Sequence, residues 1–443
     1  MVLRARCQLL AFVFVAGALL APASAGAADG LLQPARGEAG VTRSKSIVPN
    51  ARRHRIVEVD ASALAATVAP LGMDNDPRRA EKVPPASATV AIELFPDLAV
   101  TLEREAVEAA PTGGFAWTGR AKGRRTAFAS LVVKDGRITG VVETDGRIFR
   151  IDPVPNSANH QVTELDPASY KRDLHRDLPG SADDMGRKKK KPKPAKPGTT
   201  TPPTTTPPTT STNTDIKVLI AYTPQAAAKV SDIQAQAQLA ITLANAAFQR
   251  SGVKITYTLV GTVAASSYNE TAGSYGDVLD DLTGGASGLA NVATQRNALQ
   301  ADLVSLLVAR NEYCGVAWVV PDPDSGSAAW GTSVVSVDCV SNNTFSHETG
   351  HNMGLYHDRY VESSAPNSVY NFGYVDVTAR FRDIMSYPDK CSASRVTCTR
   401  IPYFSTPLVN YNGVPVGIPQ GSAGAADGVR KLNENATGIA GYR

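Results

Sequence analysis

The chain has 443 residues, 43% hydrophobic and 19% charged, which allows two or three folded domains and excludes a wholly disordered protein. Its net charge of +4 is unevenly spread: Arg187–Lys196 holds seven basic residues and no acid, whereas from Thr214 onward 15 Lys and Arg face 19 Asp and Glu. That slightly acidic C-terminal half argues against nucleic-acid binding, and no stretch after the N-terminus is long and apolar enough for a membrane span.

Residues 1–25 read as a signal peptide. Arg4 and Arg6 form a positive start, Leu9–Ala21 an apolar core, and Ala23-Ser24-Ala25 a small-residue cleavage site. The alternative is a retained N-terminal anchor. Export implies an extracellular location, or a periplasmic one in a Gram-negative host, and Cys7 would leave with the leader. Four cysteines then remain, an even number in an oxidising compartment: Cys314, Cys339, Cys391 and Cys398. Locality in sequence favours the pairs Cys314–Cys339 and Cys391–Cys398. A four-cysteine zinc site competes, but the close C-x-x-C pairs it uses are missing.

Residues 26–186 read as a β-rich domain. Strands are expected at Thr126–Val133, Arg137–Glu143 and Arg147–Ile151, separated by the hairpin dipeptides Asp135-Gly136 and Asp145-Gly146. Residues 187–213 are first basic and then almost all Thr and Pro, which makes an extended spacer that buries nothing.

From residue 214 to 443 the pattern is α/β. Ile216–Tyr222 is an apolar strand, and Thr223-Pro224 starts a helix expected to run to about Arg250, before Gly252. A strand follows at Val253–Val260, helices around Val278–Leu282 and Leu289–Leu299, then strands at Leu303–Val308, Val316–Val320 and Ser333–Val337. Helices alternating with strands imply a mostly parallel sheet.

The chemistry concentrates in His347-Glu348-Thr349-Gly350-His351-Asn352-Met353-Gly354-Leu355-Tyr356-His357-Asp358. Residues four apart share a helix face, so His347 and His351 can reach one metal ion. Glu348 beside them can lean toward a water on that metal without ligating it. Gly354 can adopt a positive φ and stop the helix, which lets His357 supply a third imidazole. Three neutral nitrogens leave a fourth position open, the arrangement of a catalytic zinc. The other three histidines, His54, His160 and His175, read as ordinary residues of the N-terminal half.

This segment resembles the extended zinc motif of the metzincin endopeptidases, H-E-x-x-H-x-x-G-x-x-H. Asp383-Ile384-Met385-Ser386-Tyr387 resembles their Met-turn, in which Met385 would form an apolar floor beneath the ligands. Asp358 after the third histidine resembles the adamalysin/reprolysin branch, where it would anchor the site by hydrogen bonds. Cys314-Gly315-Val316-Ala317 and Phe404-Ser405-Thr406-Pro407 resemble bacterial reprolysin-like peptidases, including the peptidyl-Asp group.

The resemblance implies a metzincin-like catalytic domain of α/β (α+β) class, with a mostly parallel twisted sheet and a long active-site helix, preceded by a β-rich propeptide domain. It implies a secreted endopeptidase acting on proteins or peptides, with one catalytic zinc on His347, His351 and His357. Glu348 would be the general base toward a zinc-activated water. Substrate would add as a strand at an edge near Val316–Val319 or Ser333–Val337. A structural calcium is allowed by the family, though no compact Asp/Asn loop supports one. Tyr387 would ligate zinc or stabilise the oxyanion, as in astacins and serralysins, or only line a pocket. The linker would be either an activation site or a plain spacer. The propeptide would inhibit the enzyme by a carboxylate or steric block, since residues 26–313 contain no cysteine. A non-catalytic binding protein on the same scaffold and a dedicated processor of one partner are the competing functions. Arg380, Arg382, Lys390 and Arg395 are candidate pocket cations. Cleavage specificity and oligomeric state are not legible.

Overall fold

The computed structural model describes residues 30–35, 51–62, 64, 89–121, 127–179, 213–362 and 368–443. The expected leader, Cys7 and all of the linker before Asn213 lie outside the described residues.

Nine strands of the N-terminal half form one antiparallel sheet among the described residues: β1 (Leu32–Pro34), β2 (Ala51–Val59), β3 (Thr89–Phe95), β4 (Leu98–Ala109), β5 (Phe115–Ala121), β6 (Phe128–Lys134), β7 (Arg137–Thr144), β8 (Arg147–Pro153) and β9 (His160–Leu165). Asp135 and Gly136 (φ 50° and 72°) make one tight turn, Asp145 and Gly146 (φ 50° and 75°) the next. Two consecutive positive φ angles match the strand twist, which is why Asp-Gly serves there. The sheet curls until Leu31 N–H donates to Ala91 O (2.9 Å) across its two edges. Alternation then sorts the side chains. Leu131, Val133, Val142, Phe149 and Ile151 turn inward around Trp117, while Ala116, Val132, Val141 and Ile148 join the core of the C-terminal half.

A second sheet carries β10 (Leu174–Asp177), β11 (Thr214–Tyr222), β12 (Ile255–Ala264), β13 (Leu303–Val308), β14 (Gly315–Val319) and β15 (Thr332–Ser336), in the spatial order β10-β14-β15-β13-β11-β12. Every pairing is parallel except β14–β15. Thr332–Ser336 is thus an interior strand and offers no edge. Val316–Val319 lies next to the rim, and β10 is laid along it in register, from Leu174 opposite Val316 to Asp177 opposite Val319.

The single helix expected after Thr223 is two helices, α1 (Pro224–Lys229) and α2 (Ile233–Ser251). The break comes at Asp232, whose carboxylate accepts from Gln234 and Ala235 N–H (2.9 and 3.0 Å) and so caps a fresh helix. α2 is buried on nearly all sides because the N-terminal sheet packs on the face that the second sheet leaves free. Lys134–Asp232 (2.9 Å) and Arg250–Glu105 (3.2 Å) tie the halves together at its two ends.

α3 (Tyr275–Gly284) and α4 (Ala290–Ala298) pack on the opposite face around Leu279, Leu282 and Val292. The active-site helix α5 (Thr344–Asn352) is nine residues, so the expected long helix is short: it starts after Asn343 at φ 59° and stops at Met353. The disulfides are Cys314–Cys339 and Cys391–Cys398, with Cα separations of 5.4 and 6.0 Å, the pairing that locality favoured.

Candidate active site

His347 and His351 stand one turn apart on α5, fully buried. Gly354 follows with φ 87°, and a Cβ there would sit 2.8 Å from Pro321 O, so both conformation and space require glycine. The chain reverses, and Tyr356–Asp358 pairs with Phe372–Gly373 to carry His357 back toward the helix. The Nε2 atoms of His347, His351 and His357 then form a near-equilateral triangle with sides of 3.1, 3.1 and 3.2 Å.

The outer nitrogens decide the tautomers. His347 Nδ1 lies 2.9 Å from Ile384 O, and His351 Nδ1 lies 2.7 Å from Leu355 O, so each donates its proton outward. Burial, together with the neighbouring cationic groups, pushes all three imidazoles well below their ordinary pKa, which keeps them neutral. Neutral rings with outward protons bring Nε2 lone pairs face to face, an arrangement that repels unless a cation sits between them.

Glu348 adds to the deficit: its side chain is buried and neither oxygen has a hydrogen-bond partner. Burial, then the charge of Asp173, raise it well above the usual carboxylate range, against the pull of Arg400. A divalent ion and its water would satisfy both the nitrogens and the carboxylate. Zinc–nitrogen bonds of about 2.0–2.1 Å in tetrahedral geometry put ligand nitrogens roughly 3.3–3.4 Å apart, close to the triangle seen here.

The remaining sequence candidates surround this point. Met385 lies under α5, its Sδ 2.7 Å from where a Cβ on Gly350 would be. Asp358 accepts from Tyr360 N–H (3.0 Å) and Tyr387 N–H (2.9 Å), tying the third histidine to the Met385 turn. The Tyr387 ring stacks on His357 with centroids 4.2 Å apart, and its hydroxyl donates to Asp173 O. Burial raises that phenol far above its ordinary pKa.

Several residues to which the sequence assigned no role in the site also meet here. Gly315, the first residue of β14, makes room for the acid: a Cβ would lie 2.7 Å from both Cγ and Cδ of Glu348. β14 is hydrogen-bonded on one side to β15, and Cys314 before it is disulfide-bonded, so the backbone cannot yield. Gly315→Ala is therefore expected to displace Glu348 and lower kcat about 10- to 100-fold, with metal still bound. Wild-type kcat in that variant would show that the close approach is irrelevant.

His175, read from sequence as an ordinary residue, packs on two of the three motif histidines, its Nδ1 3.2 Å from His357 Nδ1 and its ring 5.2 Å from that of His351. Asp173 is buried with its Oδ2 3.7 Å from His347 Nε2. Burial pushes its carboxyl up to about 6. Asp173, His347 and Glu348 bring ligand-capable atoms within 4.8 Å of one another, as do His175, His351 and His357. Of the four proposed cations, only Arg382 reaches the adjoining cavity: Arg380 and Arg395 are exposed, and Lys390 donates to Val375 O (3.1 Å) elsewhere. Arg400 reaches it too, although nothing local to Thr399-Arg400 marks it in the sequence.

Comparison with known proteins agrees with this geometry. Residues 212–405 match a family described as Metallo-peptidase family M12. The peptidyl-Asp metalloendopeptidase of Stenotrophomonas maltophilia (strain R551-3) is 31% identical over 367 residues, covering 77% of this chain and 80% of the relative. The protein of that name from Xanthomonas campestris pv. campestris is 26% identical over 417 residues, 89% of this chain and 87% of its own. These matches are longer than the part of the chain that follows Thr214, so they extend into the β-rich half. The chain belongs to metallopeptidase family M12, as a reprolysin-like zinc metalloendopeptidase.

Proposed function

We propose that the chain is the exported precursor of an endopeptidase that cleaves proteins beside acidic residues, aspartate above all. The observation that supports this most is the triangle of Nε2 atoms with the unpartnered Glu348 carboxylate beside it. The acidic preference comes from the relatives' name. Residues 1–25 are the leader, 26–186 the propeptide, 187–213 the tether cut on maturation, and 214–443 the enzyme.

His347, His351 and His357 hold one zinc, which when bound acidifies a water and polarises the scissile carbonyl. Glu348 takes the attacking water's proton and returns it to the departing amine. Substrate lies along β14, the strand that β10 covers, with main-chain hydrogen bonds supplying affinity. The propeptide inhibits by occupying that strand position, while Asp173 and His175 crowd the ligands.

Tyr387 supplies its hydroxyl to the developing oxyanion once Asp173 O is gone. Tyr387→Phe is expected to lower kcat about 10-fold or more with little change in KM. An unchanged kcat would leave the ring as a pocket wall.

The full-length chain should be expressed with its leader in a Gram-negative host, and the exported product sequenced from its N-terminus and given a peptide library. A new N-terminus near 187–213 and library cleavage beside aspartate are expected. A cell-retained, uncut chain with no cleavage would overturn the reading.

A further inference from the structure

The geometry points to Arg400 as the residue that reads the acidic side chain of the substrate, with Asp173 of the propeptide held in its place until maturation. This rests on the proposed proteolytic function and names the residue behind its specificity.

Beside the histidine ligands lies a cavity of about 360 Å³, bounded by Asn342, Tyr387, Arg382, Arg400 and the Cys391–Cys398 loop. Its walls from the C-terminal half contain two guanidinium groups and no carboxylate. Pro167, Ala168 and Tyr170–Asp173 form the rest of its wall, and Asp173 is the acid among them. The Arg400 side chain is only 6% exposed. Its Nε donates to Ile384 O (3.0 Å), and Nη2 bonds the same carbonyl and stands 3.0 Å from His347 Nδ1. The guanidinium is therefore fixed against the ligand shell, and Nη1 has no hydrogen-bond partner among the described residues.

The Asp173 carboxylate faces both centres at once, with Oδ2 3.7 Å from Arg400 Nη2 and 3.7 Å from His347 Nε2. This is ion-pair reach without a direct hydrogen bond to either group, and Oδ1 meets no hydrogen-bond partner among the described residues. Arg172, which also lines the cavity, is paired with Asp389, and Arg176 with Asp280 (2.6 Å), so Asp173 is the segment's one acid in the cavity wall.

Release of the propeptide removes Asp173 and also Glu143 of β7, a buried acid that feels Arg400's charge. Arg382 keeps Asp383 nearby and its bond to Ser386 O (2.5 Å), so it reinforces the field. Arg382 keeps an unpartnered Nε and Arg400 an unpartnered Nη1, and of the two it is Arg400 that is fixed against His347 and so stands next to the scissile-bond position. A positive pocket that has lost its counter-charges selects a carboxylate and rejects the isosteric amide.

Two experiments decide this. In the full-length Glu348→Gln chain, hydrogen exchange at residues 174–177 reports how often the propeptide strand lifts. Asp173→Asn and Arg400→Gln should each speed exchange about 10-fold, and the double variant no more than either, since one interaction is lost in all three. Effects that multiply would overturn the pairing. In the released enzyme, kcat/KM for a peptide with Asp beside the cleaved bond is compared with its Asn counterpart. We expect a preference of about 100-fold or more, falling below about 10-fold in Arg400→Gln and to an intermediate value in Arg400→Lys. A preference that survives both variants would overturn the assignment. If the released wild-type enzyme cleaves neither peptide, the proposed function fails, while hydrogen exchange still tests the Asp173–Arg400 pair.

Discussion

Glu348→Gln should abolish peptide hydrolysis while leaving metal content and fold unchanged. Glu and Gln have the same shape, so the fit against Gly315 is preserved. The amide cannot accept the water's proton, and general-base assistance of this kind is worth about 10²–10⁴-fold. Loss of turnover with bound zinc and an unchanged melting temperature is thus the expected combination. Near wild-type turnover would remove Glu348 from the mechanism.

Metal removal should have the second large effect. Chelation of the released enzyme is expected to stop hydrolysis, and added zinc to restore it. Stability should fall as well, because three buried imidazoles with converging lone pairs lose the ion that reconciles them. A ligand present at about 1,000 times its dissociation constant contributes about 4 kcal/mol, and 1 kcal/mol moves the midpoint of a domain this size by roughly 2–4 °C. A drop of roughly 8–16 °C in a thermal scan with chelator follows. Hydrolysis that persists through exhaustive chelation would exclude these histidines as the catalytic centre.

Both predictions rest on residues legible in the sequence. His347, Glu348, His351, Gly354 and His357 fall within eleven positions, and helix periodicity plus one glycine turn decide where they point. The Asp-Gly hairpins and the Thr223-Pro224 helix start were legible for the same reason: backbone conformation at two or three residues carries each signal. The helix break was legible in principle, since Asp232 is a good cap, yet the apolar run around it hid the interruption. The length of α5 is not legible, because the motif marks the end of the helix but not its start.

The sequence by itself therefore determined that His347, His351 and His357 converge with Glu348 beside them, and that a β-rich half precedes an α/β half. Those follow from local spacing and alternation, which act over a few residues. Only the tertiary structure decided which strand edge is covered, that Asp173 and His175 enter the site from more than 170 residues away, that Gly315 lies against Glu348, and that Arg400 rather than Arg380 or Arg395 faces the cavity. Each of these is a contact between segments whose separation along the chain carries no periodic signal. Such contacts are set by how the two sheets and α2 pack together, and packing is a property of the whole core.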